Sequence, residues 1–260
     1  MFVSVVITFC DRDIKWLNQC IDSIEQHLHV KHELIFVDNR SDQSTKISSI
    51  SNYKIATKNR NTYCLEGRRL GLDLAEGDYV WFFDVDDKMN DHIYDWELID
   101  VKKDTDIVQF YYITTPENFI KFNPKTKPMR NVRLLPRNLW SRWFRVKEIK
   151  KRLEPVPRDI DIVNCEDNFI IDLMTDKQDD YKHQVIIPKI IYQYNQNTAA
   201  QNNYTVENIE RVLYGCSNLK YLYSFINKYR YESVNLSNEL LKKKYKELTG
   251  KEYKDPVEIS

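Results

Sequence analysis

The chain has 260 residues, of which 42% are apolar, and its 39 basic and 39 acidic side chains give a formal net charge of zero. This length suits one large α/β domain, or one domain with a modest appendage, and the balanced charge gives no indication of partners. No apolar run approaches the roughly 20 residues of a bilayer span, and the absence of a CxxC pair argues against a zinc knuckle or a disulfide framework.

The first residues are predicted to form an interior strand. Val3–Phe9 is a continuous apolar, β-branched run, as expected for a strand covered on both faces. No basic region or cleavage site of a signal peptide precedes it. We therefore expect a cytoplasmic protein with reduced thiols, which would act at a membrane only peripherally.

Helices and strands then alternate along the first third of the chain. Apolar residues from Ile14 to Leu28 have helical spacing, and Leu34–Val37 is a second short strand that ends in a polar loop. Tyr53–Thr57 is a weaker third strand, Leu65–Ala75 a helix, and Tyr79–Phe83 a fully apolar fourth strand. This alternation predicts a Rossmann-like, mostly parallel twisted sheet with helices on both faces.

The pattern loosens after this region, where six of the eight prolines fall between Pro116 and Pro157 and favour long irregular connections. The later predicted elements are a strand at Ile107–Tyr112, a helix at Asn168–Met174, strands at Val185–Ile187 and Lys189–Tyr194, and helices at Val206–Ile226 and Leu236–Leu248. Pro188 leaves open whether the last two strands form one. We expect residues 1–200 to form the α/β domain and residues 201–260 a helical C-terminal extension packed on it.

An acidic cluster, Asp84-Val85-Asp86-Asp87, directly follows the fourth predicted strand. Ligands of open α/β sheets bind at the carboxyl ends of the strands, where these side chains would lie. Three adjacent carboxylates repel one another, and a divalent cation such as Mg²⁺ or Mn²⁺ would offset that repulsion while holding a substrate diphosphate. The alternative is a solvated acidic turn.

Four segments, in this order and spacing, resemble the motifs of family 2 glycosyltransferases. They are Val37–Ser41, Arg68–Gly71, the stretch from Ala75 to Asp87, and the pair Glu166-Asp167. With the first strand, the resemblance covers about residues 3–175. It implies the GT-A fold and an enzyme that transfers a sugar from a nucleotide-sugar donor to an acceptor hydroxyl.

The resemblance also implies residues that bind the donor. Thr8 and Asp38 fall where the family holds the nucleobase and the ribose, and Arg68 falls at an arginine that clamps the nucleotide. Asp38 alone could be a turn or helix-capping residue, and Arg69 is an equally good candidate for the arginine. Uridine diphosphate donors are the commonest in this family, so a UDP-sugar is expected.

The remaining implied residues concern the metal and the chemistry. Asp86 would be the main metal ligand, and Asp84 would lie beside it near the ribose or diphosphate. Asp167 would be the general base, with Glu166 as the second choice, although a Glu-Asp pair is also common in the first turn of a helix. One base opposite one leaving group implies a single displacement with inversion.

The sequence departs from the family pattern at several positions. Asn39-Arg40 replaces an Asp-Gly pair, Arg69 replaces an asparagine, and Thr8 stands where the family has proline. These differences concern how the nucleotide is recognised more than the fold.

Residues 121–158 form a basic stretch with 13 Lys and Arg against two Glu, interleaved with Trp140 and Trp143. This composition indicates a polyanionic acceptor or surface, such as a phosphate-bearing glycan, an anionic lipid or DNA. A phage-type enzyme that glycosylates a modified DNA base is one alternative. The other is a solvated face whose tryptophans anchor the core.

Other classes of protein fit the sequence less well. A sugar-phosphate nucleotidyltransferase, a GxGxxG dinucleotide-binding protein or a P-loop protein needs a glycine-rich phosphate loop, and the five glycines of this chain form none. A non-catalytic nucleotide-sugar-binding module would retain Asp38 and Asp86 but lack a base, and the presence of Glu166-Asp167 argues against it.

Overall fold

The computed structural model describes residues 1–10, 14–39, 53–57, 64–90, 101–115, 129–130, 138–158, 160, 166–175, 183–195, 205–206, 209–210, 213–215, 218, 222 and 232–254. The strands are β1 (Phe2–Phe9), β2 (Lys31–Asp38), β3 (Tyr53–Thr57), β4 (Tyr79–Asp84), β5 (Lys88–Met89), β6 (Ile107–Thr115), β7 (Met129–Arg130), β8 (Arg142–Arg145) and β9 (Gln184–Asn195). The helices are α1 (Ile14–His27), α2 (Cys64–Leu74), α3 (Val146–Leu153), α4 (Glu166–Met174) and α5 (Glu232–Thr249).

The described strands form one sheet in the order β3-β2-β1-β4-β8-β6-β9-β5, with β7 paired to β9. The strands β3, β2, β1 and β4 run parallel, β8 runs antiparallel to both β4 and β6, and β6 pairs with β9 in parallel. Helices cover both faces, since one buried cluster includes residues of α2, α3 and α4 and the other includes residues of α1. The predicted α/β class, a mostly parallel sheet flanked by helices, is confirmed.

The turn between α2 and β4 is fixed to the amino-terminal end of the sheet. The Gly77 amide donates to Ser4 Oγ (2.9 Å), and a Cβ at Gly77 would lie only 2.8 Å from the Ser4 nitrogen. The Phe2 amide donates to Asp78 Oδ2 and the Asp78 amide to the Phe2 carbonyl, both at 2.8 Å. The Ala75–Tyr79 segment therefore closes this corner of the fold, at the opposite end of β4 from Asp84.

The two strands predicted around Pro188 form the single strand β9. Its pairing with β6 is regular until Phe110 meets Ile187, and it then shifts so that Tyr111 meets Ile190. Proline has no N–H to donate to a ladder, and a bulge accommodates it. The strand β9 ends at Asn195, one residue beyond the predicted strand Lys189–Tyr194.

The described part of the basic stretch is largely used inside the protein. Trp143 is fully buried and Trp140 is 7% exposed, so both tryptophans anchor the core, which was the alternative interpretation. Arg142 is also fully buried and donates to Asn138 and Gln109, while Arg145 pairs with Asp106 at 3.1 Å. Residues 121–128 and 131–137 lie outside the described residues, so the predicted polyanion surface depends mainly on them.

The predicted C-terminal helix at Leu236–Leu248 is present as the longer α5. Most of the predicted helix at Val206–Ile226 lies outside the described residues, but Leu222 is fully buried in the cluster that includes α2, α3 and α4. The division into 1–200 and 201–260 stays a prediction. None of the helices in the described ranges combines the length and apolarity needed to cross a bilayer.

Candidate active site

Three of the predicted donor-binding residues lie at the carboxyl ends of neighbouring strands. Thr8 of β1 is in register with Asp84 of β4, and the next residue of β1 is in register with Asp38 of β2. The first turn of α2 lies close to these strand ends, because a Cβ at Gly67 would be 3.1 Å from the Asn39 side chain and 3.4 Å from Thr8. The parallel sheet therefore brings Thr8, Asp38 and Asp84 to one edge beside α2.

Arg68 of α2 lies at the centre of the predicted site. Its Nη1 donates to Asp167 Oδ1 at 2.8 Å, and its Nη2 donates to Asp84 Oδ1 at 3.1 Å and lies 3.5 Å from Glu166 Oε1. The Arg68 side chain is only 7% exposed. Residues from α2, the end of β4 and the first turn of α4 are thus joined around one guanidinium.

Asp167 is held by a second donor. The Leu139 backbone amide donates to Asp167 Oδ2 at 3.3 Å, so each oxygen of this carboxylate accepts a hydrogen bond. Asp167 and Glu166 occupy the first turn of α4, where the helix dipole favours negative charge. Helix, arginine and amide together fix the direction of the Asp167 carboxylate.

Arg69, the next residue of α2, has different surroundings, although it is as buried as Arg68. Its guanidinium donates to the carbonyls of Leu153 (3.3 Å), Val156 (2.9 Å) and Pro157 (2.7 Å). Arg69 therefore attaches α2 to the end of α3. Of the two arginines that the sequence left as candidates, Arg68 is the one that lies among the site carboxylates.

The acidic turn after β4 gives its carboxylates different environments. Asp87 is buried: its Oδ1 accepts the Asn195 amide at 2.7 Å, and its Oδ2 accepts the Tyr192 hydroxyl. The same hydroxyl accepts the Asp84 amide at 3.3 Å. No donor among the described residues is hydrogen-bonded to the Asp86 carboxylate, which is half-buried and lines a cavity of about 130 Å³.

Burial shifts the protonation of this site. Loss of solvent raises the pKa of Asp84 to about 7, against the opposing effect of Arg68, and raises that of Glu166 to about 7 in the same way. Loss of solvent and the neighbouring Asp84 raise the pKa of Asp87 to about 8. Tyr194 also has a raised pKa, through burial first and then through the charges of the surrounding aspartates, which include Asp167. The two sides of the predicted site therefore lie close enough to share one electrostatic environment.

The fit of these carboxylates to a divalent cation depends on which oxygens are available. Among the described residues, no group of three or more His, Cys, Asp or Glu side chains is arranged to hold a metal. Asp87 uses both oxygens internally, which leaves Asp86, with Asp84 beside it, as the available hard ligands. A site of one or two carboxylates completed by substrate phosphates and water is how Mg²⁺ is commonly bound in enzymes.

Some residues of the site had no signal in the sequence that marked them. Tyr192 and Asn195 lie at the end of β9, more than 100 positions after the aspartate that they bind, and Leu139 contributes only a backbone amide. By contrast, Thr8, Asp38, Arg68, Asp84 and the pair Glu166-Asp167 were all named from the sequence and lie at this edge of the sheet.

Comparison with known proteins agrees with this architecture. The model of glycosyl transferase family 2 matches residues 4–161. A crystal structure of S. aureus TarS 1-349 superposes with a TM-score of 0.57 at 17% identity, covering 84% of this chain and 65% of that one. The structure of the same protein in complex with UDP-GlcNAc gives a TM-score of 0.59 at 15% identity, covering 83% of this chain and 66% of that one. A search of curated protein sequences found no match.

These identities establish a shared fold, and the chain spans slightly less than two thirds of the TarS fragment. The family match covers more than half of the chain, so the chain belongs to glycosyltransferase family 2. The predicted family and the GT-A-like fold are confirmed, and glycosyl transfer is the activity that this family implies.

Proposed function

We propose that this family 2 glycosyltransferase moves a sugar from a nucleoside diphosphate sugar, a UDP-sugar in the first instance, to an acceptor hydroxyl with inversion at the anomeric carbon. The observation that carries the proposal is the joining of Asp84 and Asp167 by the Arg68 guanidinium. A donor-side acid at a strand end and a second carboxylate on α4 are thus bonded to the same side chain. S. aureus TarS, which shares the fold, has been crystallised with UDP and with UDP-GlcNAc.

Binding of the donor is assigned to the edge formed by β2, β1 and β4. Asp38 and Thr8 would hold the nucleoside, since their strands end side by side next to Asp84. Asp86, with Asp84, would hold Mn²⁺ or Mg²⁺, whose chemistry is to neutralise the charge that develops on the leaving diphosphate. The open Asp86 carboxylate and the cavity beside it support this assignment.

Asp167 is assigned the role of general base. An acceptor hydroxyl is a poor nucleophile until a carboxylate takes its proton as it attacks. The base must point at that proton, and Asp167 is held in one direction by Arg68 and by the Leu139 amide. Glu166 is the second choice, because its side chain is only 11% exposed against 25% for Asp167, and an acceptor hydroxyl must reach the base.

For the acceptor, we propose one main class and one alternative. A polyanionic acceptor such as a phosphate-bearing glycan is proposed from the composition of residues 121–158, with DNA as the alternative. Among the described cations of this stretch, Lys147 and Lys151 are exposed, whereas Arg142 and Arg145 are used internally.

The proposal is tested by thermal-shift screening of nucleotide sugars, with and without Mn²⁺, on wild-type protein and on Asp167→Asn. We expect that wild type and Asp167→Asn are both stabilised only when the nucleotide sugar and Mn²⁺ are present together. Turnover of the selected donor should fall by roughly 10²- to 10⁴-fold in Asp167→Asn. Glu148→Gln, which changes a first-turn carboxylate of α3 away from the site, is the matched control. Full turnover in Asp167→Asn would contradict the assignment of Asp167 as the base. Stabilisation by the nucleotide sugar without Mn²⁺ would contradict the proposed metal dependence.

A further inference from the structure

We propose that Arg68 is a positioning residue, which holds the Asp167 carboxylate in place for proton removal instead of clamping the nucleotide. This inference rests on the proposed function, because it assumes that Asp167 is the base. It changes the role that the family resemblance implied for Arg68. It also makes the donor side and the acceptor side of the site parts of one rigid array.

The geometry of the guanidinium supports this role. Its two terminal nitrogens are divided between the two sides of the site: Nη1 bonds Asp167 at 2.8 Å and Nη2 bonds Asp84 at 3.1 Å. A guanidinium is planar and presents its N–H groups in a fixed fork. The carboxylates that it bonds are therefore fixed relative to each other, although they come from different elements of the fold.

Burial limits what else Arg68 can do. The side chain is 7% exposed, and its guanidinium carbon lies 5.9 Å from the centre of the buried Phe82 ring. Turning the guanidinium towards a nucleotide would leave the buried carboxylate of Glu166 and the half-buried carboxylate of Asp84 without their cation, which is unfavourable. The position of Arg68 therefore favours orienting the carboxylates over binding the nucleotide.

The Asp167 carboxylate gains its direction from two fixed donors. Arg68 donates a hydrogen bond to Oδ1, and the Leu139 amide donates one to Oδ2. Each carboxylate oxygen has two lone pairs, so one on each oxygen remains for the proton of the acceptor. Reaction rates are sensitive to such alignment, because a displacement of about 1 Å can cost on the order of 100-fold.

The test is a double-mutant cycle on turnover and binding. Arg68→Lys, Asp167→Asn and the double variant are compared in the release of nucleoside diphosphate from the donor selected by the screen above. UDP affinity in the presence of Mn²⁺ is measured by calorimetry. We expect Arg68→Lys to lower kcat by about 10- to 100-fold while KM and UDP affinity change little. In the Asp167→Asn background the same substitution should cost nothing further, since the residue it positions has lost its function.

Two further measurements separate positioning from a general effect on folding. Guanidinium ion added to Arg68→Ala should restore turnover in a saturable way. If Arg68→Lys does not fold, Arg68→Gln takes its place in the double-mutant cycle. Arg69→Lys is the matched control: it changes an equally buried arginine that donates to carbonyls at the end of α3, and it should lower thermal stability without lowering kcat.

The possible failures are distinguishable. Loss of UDP affinity in proportion to the loss of kcat/KM, or losses that multiply in the double variant, would overturn the positioning role while leaving Asp167 as the base. Unchanged turnover in Asp167→Asn alone would instead contradict the proposed function itself.

Discussion

At the scale of single residues, the three acids of the turn after β4 differ in how available they are to bind a cation, because their hydrogen-bond partners differ. Asp84 accepts a hydrogen bond from Arg68, which also bonds Asp167. Both carboxylate oxygens of Asp87 accept hydrogen bonds from residues of β9, whereas the Asp86 carboxylate has no hydrogen-bond donor among the described residues. The Asp87 bonds fix the turn that presents Asp86 beside the cavity. Binding of a cation at Asp86 would therefore depend indirectly on Tyr192, which bonds the neighbouring Asp87.

We predict that Tyr192→Phe weakens cation binding. The Tyr192 hydroxyl donates to Asp87 and accepts from the Asp84 amide, so its loss leaves one buried and one partly buried polar group without that partner. We expect a loss of about 1–3 kcal/mol in the free energy of unfolding. The affinity for Mn²⁺ in the presence of UDP should fall by roughly 10-fold or more, as for other residues that orient metal ligands. Urea denaturation and calorimetry measure the two effects.

Tyr79→Phe is the matched control for this substitution. The Tyr79 hydroxyl also makes two hydrogen bonds, donating to the Thr105 carbonyl at 2.8 Å and accepting from Arg145 at 2.9 Å. It lies at the other end of β4, so it should lower stability and leave Mn²⁺ affinity unchanged. Equal effects of both variants on Mn²⁺ affinity would contradict the assigned role of Tyr192.

The donor-side residues named from the sequence lie together for one physical reason. Parallel strands end at the same edge of a sheet, so Thr8, Asp38 and Asp84 had to meet once the strand order was set. Tyr192 could not be found in this way, because its position depends on the antiparallel return through β8 and on the bulge at Pro188. The choice between Arg68 and Arg69 also required the packing of α2, since adjacent helical residues point in different directions.

At the scale of elements, the packing of α2 on the sheet determines where Arg68 lies. A Cβ at Gly71 would be 2.2 Å from Val6 Cγ1 and 3.2 Å from Val37 Cγ2. The helix approaches β1 this closely only because residue 71 is glycine. The sequence predicted the helix, but Leu70, Leu72 and Leu74 are too crowded to form a clean apolar stripe, so they gave no indication of which side chain faces the sheet.

We predict that Gly71→Ala destabilises the protein by about 1–3 kcal/mol, because overpacking a stiff β-branched neighbour outweighs the gain of about 1 kcal/mol in helix propensity. Turnover should fall as well, since a displaced α2 moves Arg68. Urea denaturation measures the first effect. Adding Val6→Ala makes room for the new methyl group, so the double variant should be more stable than the sum of the single effects by at least about 0.5 kcal/mol. Strict additivity would contradict this account.

At the scale of the whole molecule, the two ends of the sheet have separate tasks. The carboxyl ends of the strands hold the site acids, and the amino-terminal end holds a hydrogen-bonded corner around Glu33 of β2. Its Oε1 accepts from Ser4 Oγ at 2.6 Å and from the Glu76 amide at 2.8 Å, and its Oε2 pairs with Lys54 at 2.8 Å. Burial raises the pKa of Glu33, but the bonds from Lys54, Ser4 and Glu76 outweigh it and lower the pKa below its ordinary value of 4.5.

Because the folded protein lowers this pKa, Glu33 should stabilise the fold above about pH 4.5 and lose that effect as the pH falls through the folded value. We predict that Glu33→Gln lowers the free energy of unfolding by about 1 kcal/mol at neutral pH, and that the difference from wild type shrinks towards about pH 3. Urea denaturation across this range measures it. Glu76→Gln is the control: Glu76 also pairs with Lys54 at 2.8 Å but is 72% exposed, so its stability profile should follow that of wild type. A Glu33→Gln difference that stays constant down to about pH 3 would mean that the charge of Glu33 does not hold this corner together.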